Sequence, residues 1–82
     1  MNEHAKPHVQ IVVNGIKVTH IGKSVTYQEI VNYAAEEKDK QVEHTVTYEN
    51  GPKENPEGTL EKGQSVFVKP FMSFDADKTI RS

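Results

Sequence analysis

The groups in this chain that can do chemistry are few, and the most suggestive lie at its end. Residues 75–82 read Asp-Ala-Asp-Lys-Thr-Ile-Arg-Ser. They follow Val66-Phe67-Val68-Lys69, whose alternation has the period of a strand. If that strand is the middle of a small sheet, the folded body becomes a holder for an exposed carboxyl terminus, and a held carboxylate is a group that another protein can activate. Asp77, Lys78, Thr79, Ile80, Arg81 and Ser82 are therefore the candidate reactive tail, with the Ser82 carboxylate as donor when the chain is left untrimmed. The plainer reading of the same residues is an ordinary polar terminus.

Other reactive side chains form no recognisable constellation. His4, His8, His20 and His44 fall in no His-x-x-His or Glu-containing ligand spacing, and they read as scattered surface residues rather than a metal site. Ser24, Ser65 and Ser73 stand in turn or strand contexts without a nucleophile elbow. There is no cysteine, hence no disulfide framework, no Cys-ligated zinc and no thiol that could itself accept an acyl group. We expect no catalytic residue, no metal and no cofactor, and therefore not an enzyme. Phe71, Met72 and Phe74 lie just beyond Pro70. They read either as packing under a helix or as an exposed patch that a partner reads.

Size and charge limit what must position these groups. With 82 residues the chain is one domain at most, and it buries only about 60% of its unfolded surface. Ten Lys and Arg against twelve Asp and Glu create no large field of either sign, which disfavours nucleic acid or a membrane surface as partner. The polar N-terminus has no apolar signal segment, and no run is long enough to cross a bilayer, so a cytoplasmic protein is expected.

Residues 1–7 carry charge without periodicity and read as a flexible N-terminal arm. Val9, Ile11 and Val13 alternate, Asn14-Gly15 is a strong signal for a two-residue hairpin turn, and Ile16 and Val18 continue the same apolar face on a second strand. Thr26 and Glu29 make a capping box, with Val25 and Ile30 at the staple positions, so a helix starts at Thr26 and runs to about Lys38. A third strand over residues 42–48 is placed at an edge. An irregular loop over residues 52–59 follows, and a final strand spans residues 66–69. One helix must then cover one face of a four-stranded mixed sheet, with the last strand parallel beside the first. This α+β arrangement is a β-grasp over residues 8–74, followed by a flexible tail over residues 75–82.

The segment Val46-Thr47-Tyr48-Glu49-Asn50-Gly51-Pro52-Lys53-Glu54-Asn55-Pro56-Glu57-Gly58, followed by Leu60-x-x-Gly63-x-x-Val66-x-Val68, resembles the bacterial multiubiquitin-domain family of ubiquitin-like proteins. The likeness spans about residues 8–82. It implies a small modifier whose C-terminus is adenylated by an E1-like enzyme, which consumes ATP, and then passed through an E2-like partner to a target. A processing or deconjugating peptidase is a further implied partner. Familiar modifiers of this kind end in Gly-Gly, whereas no glycine follows Gly63 here. An activating enzyme must therefore accept a terminal residue that carries a side chain. A non-covalent β-grasp module that binds proteins through a sheet face or an edge strand is the alternative.

Overall fold

The computed structural model describes residues 6–79. Its strands are β1 (His8–Val13), β2 (Ile16–Ile21), β3 (Ser24–Thr26), β4 (His44–Glu49), β5 (Gly58–Leu60), β6 (Ser65–Phe67) and β7 (Ser73–Lys78); the helix α1 spans Tyr27–Ala34, and a 3-10 turn spans Glu37–Asp39. Five strands form a mixed sheet in the order β2-β1-β7-β4-β5, while β3 and β6 make a separate two-stranded ribbon. The sheet is thus larger than the four strands expected.

The hairpin forms in the expected register, with Val13 opposite Ile16. Asn14 and Gly15 both take positive φ, 51° and 81°, as a turn matched to the twist of its strands requires. Ile11 and Val13 are buried, Val9 and Val18 are half-buried, and Ile16 stays exposed. An eight-residue helix is only about 12 Å long and cannot cover strands of about 20 Å from end to end.

At the start of α1, the Thr26 hydroxyl accepts the Glu29 N–H, while the Glu29 carboxylate accepts the Thr26 N–H at 2.9 Å. Val25 and Ile30 are both fully buried, as a hydrophobic staple demands. The helix stops at Ala34 rather than near Lys38: Ala35 and Glu36 are extended, with ψ of 150° and 162°. The charge run 36–40 has no apolar face to bury, so nothing repays its continuation as a helix.

Three expectations about the sheet are corrected. The last strand is not at residues 66–69. Val66 does alternate with Phe67, but those residues pair with β3, Val25 opposite Val66, and Pro70 ends the run. The central strand is β7, so Asp75, Asp77 and Lys78 are ordered sheet residues, not a flexible tail. The reason is that one sheet face is open. Phe74 and Ala76 point into the core, while Ser73, Asp75 and Asp77 point outward, and a strand with one wet face needs only every second residue to be apolar. β4 is not an edge strand either, because Gly58–Leu60, read as the end of a loop, pairs with it as β5.

Met72 and Phe74 are fully buried among Ile11, Val13, Ile30, Val31, Val46 and Leu60, so they are core residues rather than a partner-binding patch. His20 and His44 are also buried, contrary to their reading as surface residues. The Ser24 carbonyl can only accept, so His20 carries a proton on Nε2, donating at 2.7 Å, and its Nδ1 is hydrogen-bonded with the Tyr33 hydroxyl at 2.6 Å. His44 donates Nδ1–H to the Val42 carbonyl. No buried side-chain nitrogen or oxygen lacks a partner among the described residues.

Replacing Thr26 by Ala should lower stability by about 1 kcal/mol through loss of the cap, measured by urea denaturation. A loss below about 0.3 kcal/mol would mean that the box contributes nothing to holding the helix.

Candidate functional site

The candidate site is the place where the chain leaves the sheet. β7 runs parallel to β1, with Val12 opposite Ser73 and Val13 opposite Phe74. On its other side it runs antiparallel to β4 along its whole length, from Glu49 opposite Ser73 to His44 opposite Lys78. β1 stops at Val13, four residues short of its partner's end in register terms, since Phe74 is followed by Asp75, Ala76, Asp77 and Lys78. The side chain of Asn14 fills part of that gap. Its Nδ2–H donates to the Ala76 carbonyl at 3.1 Å, and its Oδ1 accepts the Ala76 N–H at 2.8 Å. One amide side chain thereby does what the next backbone residue of a longer β1 would do.

The β4 side holds the strand further still. The Thr79 N–H donates to the Glu43 carbonyl at 2.9 Å, and the Thr79 and Thr45 hydroxyls lie 3.0 Å apart. Lys78 Nζ meets Asp39 Oδ2 at 3.4 Å; both are solvent-accessible, so this pair contributes under about 1 kcal/mol. Of the expected tail, then, Asp77, Lys78 and Thr79 are gripped by the sheet. Ile80, Arg81 and Ser82 lie outside the described residues.

β4 itself is braced from the helix. Its edge beyond Val46 has no strand partner, because β5 ends at Leu60 opposite Val46. The Tyr27 hydroxyl occupies that edge, accepting the His44 N–H at 2.7 Å and donating to the His44 carbonyl at 3.1 Å. The residue at the start of α1 and the residue opposite Lys78 are therefore joined.

At the other end of β7 stands Phe71, which sequence reasoning grouped with Met72 and Phe74 but which behaves differently. The Met72 N–H donates to the Lys69 carbonyl at 3.1 Å, closing a four-residue turn with Pro70 and Phe71 in its centre. Proline fixes φ near −65° at the first central position. Phe71 has φ of 67°, so the turn is type II, whose second central position ordinarily belongs to glycine. An aromatic residue held there costs about 1–2 kcal/mol. Two bonds keep it in place: its N–H donates to the Gln10 carbonyl at 2.7 Å, and its carbonyl accepts from Asn50 Nδ2 at 3.0 Å. The residue is 54% exposed.

One concave surface among the described residues is an open groove of about 400 Å³ between β5 and β6, lined by Tyr48, Asn55, Thr59, Leu60, Gln64, Ser65 and Val66. It holds no ionisable pair and no nucleophile with a base. Burial and the Glu29 carboxylate raise the Tyr33 phenol above its ordinary range, which is the opposite of activation. Among the described residues no group of three His, Asp or Glu side chains is placed to hold a metal, and no helix is long and apolar enough to cross a membrane.

Exchanging Asn14 for Gly keeps the turn and removes both bonds to Ala76, and it should lower stability by about 1–2 kcal/mol; a denaturation midpoint equal to wild type would show the amide clamp to be idle. Ending the chain after Thr79 should leave the thermal midpoint within a few degrees of wild type, whereas ending it after Ala76 should unfold the protein, with circular dichroism as the readout. Compared with protein-family models, with curated proteins and with solved structures, the chain matches none.

Proposed function

We propose that this protein is a ubiquitin-like modifier of β-grasp fold, conjugated through the residues that follow Thr79. The sheet order β2-β1-β7-β4-β5, with its parallel pair β1 and β7 and one α-helix among the described residues, supports the β-grasp reading. The observation that carries the functional reading is the two-sided grip on β7: the chain departs from a strand that cannot shift relative to the body. An enzyme that holds the body therefore knows where the reacting residues begin.

The chemistry belongs to the partners. A C-terminal carboxylate attacks the α-phosphorus of ATP on an E1-like enzyme and releases pyrophosphate. The acyl group of the resulting adenylate passes to a thiol or hydroxyl of that enzyme or of an E2-like partner, with release of AMP. Attack by an amine of the target then forms an amide and frees the carrier. A peptidase trims the end or reverses the final bond. A donor among Ile80, Arg81 and Ser82 bears a side chain, and an adenylation channel that takes it is wider than one built for Gly-Gly.

A second reading, a non-covalent binding module, is favoured by one observation. The sheet face opposite α1, with Thr45, Thr47, Asp75, Asp77 and Thr59 exposed on it, is covered by no element among the described residues.

Incubating the chain with a purified E1-like enzyme and ATP should release pyrophosphate and yield a covalent adduct by intact mass spectrometry. The chain ending after Thr79 should yield none. Absence of adduct on wild type, or equal yield from the shortened chain, would remove the modifier reading; retained binding without adduct would favour the module.

A further inference from the structure

Phe71 pairs two features that rarely occur together. Its backbone sits where glycine would be unstrained, and the residue is more than half exposed. Neither feature serves the fold, since a glycine would relieve the turn and remove apolar surface from solvent. Yet the conformation is doubly secured, by Gln10 on one side and by Asn50 on the other, and Asn50 itself has φ of 60°. A ring fixed in this way loses little freedom on contact with another protein, as an anchoring residue should.

Its surroundings indicate what it would meet. The Val68 N–H donates to the Lys23 carbonyl at 3.0 Å, which lays the segments on either side of these residues next to each other. Together, residues 21–25 and 65–71 present Ile21 at 55% exposure, Phe67 at 66% and Phe71 at 54%, with exposed Lys23 and Lys69 and no carboxylate. Exposed apolar residues interspersed with lysines along these two adjacent segments suit an apolar pocket rimmed by acids. Two lysines on a chain of net charge −2 are too few for nucleic acid, whose binding grows with the number of phosphates neutralised.

We propose that Phe71 is the docking anchor for the enzyme that acts on the residues beyond Thr79, the E1-like adenylating partner; this rests on the modifier reading above. Phe71 and Thr79 bracket one strand. β7 is bonded on both sides, so it fixes their separation at roughly 25 Å. A partner that takes the ring into a pocket thereby sets the position of the reacting end, converting a search by a loose tail into a measured approach.

Calorimetry with the purified E1-like enzyme tests this on full-length variants. Phe71→Gly should weaken binding at least about tenfold and raise KM for the chain in ATP–pyrophosphate exchange while leaving kcat unchanged, and its thermal midpoint should fall by no more than about 4 °C. Phe71→Tyr should bind nearly as wild type, and Lys69→Glu should weaken binding in a way that added salt reduces. The wild-type chain ending after Thr79 should still bind, because the anchor remains. If Phe71→Gly binds as wild type, the anchor is refuted while adenylation stands. A midpoint loss well beyond 4 °C would refute it too, making the ring structural. If wild type neither binds nor is adenylated, both readings fall. Binding to phosphatidylcholine–phosphatidylglycerol vesicles that depends on Phe71, without binding to the enzyme, would assign the patch to a lipid surface instead.

Discussion

The rest of the structure depends on β7 being bonded from both sides. A strand at the centre of a five-stranded sheet has no backbone groups to spare for solvent, and each one left unpaired would cost more than a typical hydrogen bond contributes. Most of the unusual contacts in this protein serve that requirement. Val12 and Asn14 donate backbone N–H groups to the carbonyls of Met72 and Phe74, and the Asn14 side chain takes over at Ala76. The core is strung along the same strand, because Phe74 and Ala76 face α1 and meet residues from each neighbouring element. A chain of this size has little other apolar surface to bury, so a shifted β7 would expose both at once.

Two buried histidines in so small a core need an account. Each is held by hydrogen bonds: His20 is bonded through both ring nitrogens, to Tyr33 and Ser24, and His44 has its ring on Val42 and its backbone on Tyr27. These contacts join α1 to the two flanks of the sheet. Tyr33 reaches His20 on β2, which in turn bonds Ser24 at the start of β3, while Tyr27 reaches β4. The helix is short for its task, and its two tyrosines extend its hold beyond the apolar stripe of Ile30 and Val31. Directional bonds of this kind fix where a helix rests along a sheet, which apolar contact alone leaves loosely defined.

Much of this was legible in the sequence where local rules decide. Asn14-Gly15 specified the turn, Thr26 and Glu29 the cap, and the order of elements placed the first and last strands together at the centre. The identity of that last strand was hidden for a physical reason. An inward-facing pair as small as Phe74 and Ala76, alternating with Asp75 and Asp77, looks like a polar tail, and only pairing distant in sequence makes it a strand. Val66 and Val68, more apolar and more regular, drew the reading to a two-stranded ribbon instead. The role of Asn14 at Ala76 was invisible because its partner is 62 residues away, and Tyr27 at His44 was hidden likewise. For the site, the chain's exit was read from the correct end but at the wrong residue: Asp77, Lys78 and Thr79 belong to the sheet. Among the three candidate contact residues, alternation alone would have separated Phe74 from Ser73, but Phe71 is set apart by the positive φ that a Pro at the preceding position allows.

The segment from Asn50 to Gly58 shows how a motif can carry structure without chemistry. A Cβ on Gly51 would collide with the Asn55 carbonyl, so glycine is required there by close packing, whereas one on Gly58 would come to 3.0 Å from the Tyr48 hydroxyl and oblige that side chain to shift. The Gly51 N–H donates to the Pro56 carbonyl and the Asn55 N–H to that of Pro52, which folds the loop upon itself. Its free end is Asn50, whose amide crosses to the Phe71 carbonyl. Relieving strain at Phe71 would thus be simple, a single glycine, whereas holding a phenylalanine there requires the loop at residues 50–58 to be built around it. The loop thus ends in a side chain that braces Phe71, in its disfavoured backbone conformation, at the beginning of β7.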